Sequence, residues 1–392
     1  MRHVSDQQRR ARIGPRHAIA PATRATDPVA ATRAMTVLHS TEPATVYLSL
    51  HARVDGLEVG DVDHALYDDR SLLKQLAMRR TLFVFPRDLL PAAWGSASAR
   101  VAAQLAPRLA REVEQGGVAA DGAAWLDAAR TAVVARLADG GELGAQALRE
   151  EVPELAVRLD LAAGKDYGGS SPIAPRVLSQ LGVEGLVVRG HNAGHWRTSR
   201  PLWTSMSAWL GEDPEPLDPE SGYAELVARW LRTFGPGTLT DLTWWLGSTV
   251  GAARQALADV GAVEVSLDET ATGWVLPDDL GDDPEPEPWA ALLPVLDPTM
   301  MGWKDRSFFL GPHGPAVFDR NGNAGTTAWW DGRVVGCWVQ DDGGVVRVGP
   351  LEDVPAAGRA ALDVEAERLT AWLDGVKVRT VYPSSAMKAA GH

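Results

Sequence analysis

The stretch IAPRVLSQLGVEGLVVRGHNAGHWRTSRPLW, residues 173–203, changes its periodicity partway along. IAPRVLSQL reads as an amphipathic helix, GLVVRG as a short apolar strand, HNAG as a tip and HWRTSRPLW as a returning strand. The order is helix, then β-hairpin. A second stretch follows the same plan upstream. SLLKQLAM reads as a helix and RRTLFVFP as a strand, in which Leu82 and Val84 alternate with Phe83 and Phe85.

Working outward, a third copy follows the acidic, proline-rich segment EDPEPLDPE, residues 212–220. YAELVARWLRTF is an amphipathic helix and GPGT breaks it. LTDLTWWLG and VGAARQALADVG supply two more helices before the strand VEVSL. Thr238 or Thr240 suits the cap of the second helix, and Gly247 suits its end. Helix–turn–helix followed by strands is the plan of a winged helix, in which one helix enters the major groove and the hairpin lies along the backbone. The irregular spacing suggests divergent tandem domains rather than a solenoid.

Ala-rich helices over residues 89–113 and 124–138 bridge the first two units. After the acidic PDDLGDDPEPEP, residues 277–288, the pattern turns to strands: SFFLG, AVFD, TTAWW, RVVGCWVQ and VVRVG. Asp331-Gly332 and Asp342-Gly343-Gly344 are hairpin turns. PAAGRAALDVEAERLTAWLDG is a helix and VRTVYP a last strand. Trp230, Trp245, Trp338 and Trp372 occupy apolar positions and read as core. The expected fold class is α+β: three tandem winged-helix (helix-turn-helix) domains with a C-terminal β-rich portion. The expected boundaries are 1–115 for the first unit with the candidate site, 116–211 for the bridging helices and second unit, 221–276 for the third, and 289–392 for the β-rich region.

A chain of 392 residues suggests two or three domains of roughly 100–150 residues each. Residues 1–16 are basic and polar without an apolar run behind them, and no apolar run approaches the roughly 18 residues of a membrane span. A cytoplasmic, nucleoid-associated protein is expected. Cys337 is the only cysteine, so disulfides and cysteine-based zinc sites within one chain are excluded. His191 and His195 flank Gly194 in a hairpin tip without a third ligand in view, so no metal and no cofactor are expected.

The net charge of −13 argues against a nucleic-acid partner, but its distribution reverses that inference. Residues 70–87 carry Arg70, Lys74, Arg79, Arg80 and Arg87 and no acid. Residues 186–210 carry Arg189, Arg197 and Arg200 with His191 and His195, again without Asp or Glu. The acid is concentrated in the two proline-rich connectors, which read as extended and solvated. Each basic stretch alone reads equally well as a solvated face.

A polar cluster interrupts an apolar pattern in LHSTEPATVYLSLHARV, residues 38–54. His39, Thr41 and Glu42 fall at the end of one helical pattern, and Pro43 begins the next. Thr41 or Glu42 suits a helix cap with Pro43 in the first turn. A corner between elements is equally a place for reactive groups. Asp297, Lys304, Asp305 and Arg306, around MMGW, line a channel or, for Asp297 before Pro298, cap a helix.

The chain resembles the winged-helix DNA-binding protein family that includes the AlkZ and YcaQ DNA glycosylases. LHSTEPATVYLSLHARV, LLKQLAMRRTLFVFP, LLPVLDPTMMGWKDRSFFLGPH and FDRNGNAGTTAWWDGRVVGCWVQ carry the resemblance over nearly the whole chain. It implies an AlkZ-like monofunctional glycosylase that hydrolyses the N-glycosidic bond of alkylated, cationic and possibly bulky purines in duplex DNA. The alternative is a non-catalytic winged-helix DNA-binding protein, a regulator or lesion-recognition protein. Characterised members carry Gln-apolar-Gln or Gln-apolar-Asp before a carboxylate and proline. Here His39 and Thr41 occupy the two variable positions with Ser40 between them, and Thr41 cannot deprotonate a water.

An alkylated purine leaves as a neutral base, so little acid catalysis is required. The remaining task is to stabilise an oxocarbenium-like sugar and hold a water against it. The resemblance points to Glu42 for the negative charge, to His39 for orientation or general base near neutrality, and to Thr41 for a phosphate or the water. The expected DNA contacts, mainly to phosphates, are Lys74, Arg79, Arg80, Arg189, His191, His195, Arg197, Arg200, Lys304 and Arg306. A monomer acting on duplex DNA is expected.

Overall fold

Helix Ala174–Val183 runs into the antiparallel pair Val187–Asn192 and Pro201–Ser205, as the 173–203 stretch predicts. These elements come from a computed structural model that describes residues 1–161, 169–281 and 286–391. Pro175 lies in the helix's first turn, where its missing N–H costs nothing. Val177, Leu178 and Leu181 are buried against Leu109, Val133, Leu148 and Leu155. A preceding helix, Gly122–Arg136, a short strand, Leu143–Gly144, and a helix, Ala145–Glu151, complete the unit. The short strand pairs with the outer hairpin strand to make a three-stranded sheet.

The same order of elements occurs at residues 28–86. Helix Pro28–Ala34, strand Leu38–His39, helix Pro43–His51 and helix Val59–Asp63 precede strands Leu72–Leu76 and Leu82–Pro86. Here the sequence reading needs correction: SLLKQLAM is a strand, and the last helix of the unit lies earlier. The strand is covered on both faces, so it lacks polar alternation. Gln75 is buried because its amide donates to Gly182 O at 3.0 Å and accepts from Trp94 Nε1 at 3.1 Å.

The third copy reads as expected. Helices Pro219–Phe234, Leu239–Leu246 and Val250–Asp259 precede strands Val263–Leu267 and Thr272–Val275. Thr238 forms a capping box with Asp241, and Gly247 ends the second helix at φ +63°, a conformation that favours glycine. The N-terminus packs against this unit. Strand His3–Val4 pairs in parallel with Ser266 and Leu267, and helix Asp6–Arg16 packs on Pro219–Phe234.

The C-terminal region is a four-stranded antiparallel sheet of Ala290–Leu293, Thr327–Trp330, Arg333–Gln340 and Val346–Pro350, with helix Ala356–Leu373 across it. Its core includes Ala44 and Leu48 of helix Pro43–His51, so the sheet seats the polar corner. SFFLG and AVFD are not strands: they form the helical turns Ser307–Leu310 and Gly314–Val317, wedged by Trp303, Phe308 and Phe309. VRTVYP is no strand either. Cys337 is buried, as are Trp230, Trp245 and Trp338, while Trp372 is half-buried. Among the described residues no helix is long and apolar enough to cross a membrane. Residues 282–285 of the second acidic connector lie outside the described residues.

Candidate functional site

Strand Leu38–His39 ends at Ser40, whose N–H donates to Leu82 O at 2.9 Å, and the chain then turns into helix Pro43–His51. Glu42 occupies the N-cap position, yet its side chain makes no cap bond. Its carboxylate instead accepts from Thr380 Oγ1 at 2.7 Å and from the Val381 N–H at 2.8 Å. The segment read as a last strand thus spends one hydroxyl and one backbone N–H on fixing this carboxylate. Thr41 is exposed.

His39 is buried against Phe83, ring centroids 4.6 Å apart, and neither ring nitrogen has a hydrogen-bond partner among the described residues. Burial, then the nearby Arg79 guanidinium, lower its pKa to about 3. This corrects the expectation of a group titrating near neutrality: burial holds the imidazole neutral, a polar group kept dry with both ring nitrogens enclosed.

The cations of the first basic stretch divide by position. Arg80 is exposed. Lys74 is half-buried in a recess shared with Ser40, Pro43 and Arg189, and its Nζ donates to Tyr67 Oη at 2.7 Å. Arg79 lies over the Trp244 ring at 3.8 Å, and Arg306 approaches the same ring at 5.0 Å and Phe318 at 4.6 Å. Each of the two guanidiniums keeps an Nη2 without a partner, and burial lowers both pKa values to about 10. They stand 227 positions apart in the chain, and no motif signals their pairing across an aromatic plate. Lys304 is exposed nearby, its N–H bonded to Asp241.

The second basic stretch is acid-free only in sequence. Glu142 reaches in to accept the His191 N–H at 2.9 Å and stands 2.6 Å from its ring Nδ1, while the ring stacks on Tyr67 at 5.4 Å. His191 therefore has a carboxylate partner and is poorly placed for a phosphate. His195, Arg197 and Arg200 are exposed at the hairpin end. His195 packs on Trp196, and Arg197 Nη1 donates to Lys377 O at 2.5 Å. Arg189 is inside the recess, 5.2 Å from the Trp203 ring.

Asp297 lines no channel. It is fully buried, paired with Arg53, and caps Pro298–Met301 by accepting from the Thr299 N–H at 2.9 Å. What the structure brings together is the Ser40–Glu42 corner, buried His39 and the Lys74–Arg189 recess. Thr380, Tyr67, Tyr47 and Trp244 are members that no motif in the sequence marked.

The sequence matches the family described as DNA glycosylase AlkZ-like over residues 32–372. Among solved structures, the DNA glycosylase AlkZ of Streptomyces sahachiroi superposes with a TM-score of 0.69 at 20% identity, over 97% of this chain and 98% of that one. The two share a fold. No curated protein matches the sequence.

Proposed function

The chain belongs to the AlkZ-like DNA glycosylase family, and on that premise we propose that it hydrolyses the N-glycosidic bond of alkylated, cationic purines in duplex DNA. The observation that carries this reading is the anchored Glu42 carboxylate, held by Thr380 and Val381, three residues from the neutral, unpartnered ring of His39. A fixed negative charge suits an oxocarbenium-like sugar, and a dry imidazole suits the orientation of a water.

The three helix–hairpin units are read as tandem winged helices that present exposed Arg80, Arg197, Arg200 and Lys304 to phosphates. The paired Arg79 and Arg306 flank Trp244, and Lys74 and Arg189 serve nearer the sugar. Phosphate contacts of this kind favour duplexes without strong sequence preference. We place the protein, a monomer, at the nucleoid.

The test is incubation with a duplex carrying 7-methylguanine, followed by alkaline cleavage at abasic sites. Cleavage at the lesion supports the reading. A second reading, a non-catalytic duplex-binding protein, draws on His39 and Thr41 standing where characterised relatives carry Gln and Gln or Asp. Retained duplex binding without excision of any alkylated base selects it.

A further inference from the structure

A groove of about 370 Å³ opens between the first hairpin and the second unit, with Leu76, Arg80, Leu105, Arg108, Pro175 and Arg176 in its walls. A water's share of liquid volume is about 30 Å³, so there is room for part of a polymer strand. Arg80 and Arg108 are exposed and Arg176 is half-buried. The walls come from helix Ala99–Gln115, the strand ending at Leu76 and the first turn of helix Ala174–Val183.

Three guanidiniums share one carboxylate here. Glu112 holds Arg108 Nε at 2.9 Å and Arg176 Nε at 3.2 Å, and Arg176 Nη1 donates to Ser171 Oγ at 2.9 Å. Both Nη groups of Arg108, Nη2 of Arg176 and the whole Arg80 guanidinium make no bond among the described residues. Arg80 reaches the groove from a strained turn, in which Arg79 and Arg80 stand at φ +55° and +59° where glycine or asparagine costs less. The turn sends Arg79 onto Trp244 and Arg80 to the groove.

We propose that this groove holds the DNA backbone beside the nucleotide being processed, with Arg80, Arg108 and Arg176 on phosphates and Leu76, Leu105 and Pro175 against the C–H faces of the deoxyriboses. The inference rests on the reading of the Ser40–Glu42 corner and extends it. Three cations against one anion, in a chain of net charge −13, select a polyanion. The apolar walls suit sugars as well as phosphates, which favours a backbone over a bare inorganic anion. Leu76 pairs with Leu82, whose carbonyl accepts from the Ser40 N–H. The groove wall is therefore two strand spacings, about 10 Å, from the corner. At a rise of about 3.4 Å per base pair, the phosphates it grips lie within about three nucleotides of the one at the corner. That continuity favours DNA over an acidic protein segment, the competing occupant.

The experiment measures affinity by fluorescence anisotropy on a duplex with a central tetrahydrofuran abasic analogue, which has no base to remove, so binding is read apart from excision. Arg108→Ala/Arg176→Ala, melting like the parent, should bind at least threefold more weakly and flatten the plot of log affinity against log salt by about 0.9 per phosphate released. Arg108→Lys/Arg176→Lys should keep the parent's slope. Glu112→Gln, which removes the competing carboxylate, should bind at least threefold more tightly, a gain that a merely structural role does not give. Single neutral methylphosphonates, placed up to three nucleotides either side of the analogue, should weaken the parent at one or two positions and leave the double alanine variant unaffected there. An unchanged salt slope in that variant overturns the proposal and leaves the groove to an acidic protein segment. The absence of any such position overturns it as well. If these shifts appear and 7-methylguanine is not excised, the groove stands and only the reading of the corner falls.

Discussion

Arg53 and Asp297 meet through two hydrogen bonds, Nη1 to Oδ2 at 2.9 Å and Nη2 to Oδ1 at 2.8 Å, with neither side chain exposed. Ser49 Oγ and the Thr299 N–H fill the remaining acceptor sites of the carboxylate. The pair ties the end of the helix that begins at Glu42 to the C-terminal region. Removing one partner leaves a buried charge alone, so Arg53→Met or Asp297→Leu should each cost about 3–5 kcal/mol in urea unfolding. The double variant leaves no charge and should lose far less. A double variant as unstable as the sum of the singles would refute this account.

Stability should also fall on the mildly acid side of neutrality. Burial lowers His17, His39 and His51 each to about 3, while the unfolded chain binds their protons near pH 6.5. For a group whose folded pKa is depressed, the stabilisation is fully present above the unfolded value and is lost as pH falls from there toward the folded one. At pH 5.5 each histidine should subtract about 1.4 kcal/mol relative to pH 8, roughly 4 kcal/mol together. Denaturant titrations at the two pH values check this, and equal stabilities would contradict the buried, neutral assignment.

Arg197 and Arg200 are exposed at the end of the second hairpin. If they neutralise phosphates, replacing both by Ala should weaken every duplex similarly and flatten the plot of log affinity against log salt by about 0.9 for each phosphate left without its cation. An unchanged slope would remove the hairpin from the interface.

Legibility in the sequence followed how local the cause was. The third unit could be read because its signals are local: Thr238 caps its own helix through Asp241, and Gly247 ends it three residues after Trp244. SLLKQLAM misled because what makes it a strand is remote, Trp94 and Gly182 covering Gln75. A two-residue strand at His3–Val4 that pairs with Ser266 leaves no periodic trace. The site behaves likewise. Its corner was visible as a polar interruption at His39–Glu42, but Glu42 is fixed by Thr380, 338 positions away, and His191 by Glu142.

Base excision should depend on His39 and Glu42 more than on Thr41. Thr41 is exposed, and losing its hydroxyl should cost about one net hydrogen bond, roughly 1 kcal/mol of barrier. Glu42→Gln keeps the shape that Thr380 and Val381 grip but removes the charge proposed to stabilise the sugar. His39→Ala removes the group proposed to orient water. Each should cost on the order of 2–4 kcal/mol, the range of preorganised electrostatic groups. In single-turnover assays on 7-methylguanine duplex, both variants should be slow while binding DNA like the parent. The pH profile separates the roles of His39. A base titrating near 6.5 would lower the rate as pH falls from 8 to 6, whereas an imidazole lowered to about 3 gives a flat profile. A flat profile with a slow His39→Ala variant assigns His39 to positioning. Parent-like rates in both variants would take the corner out of the mechanism.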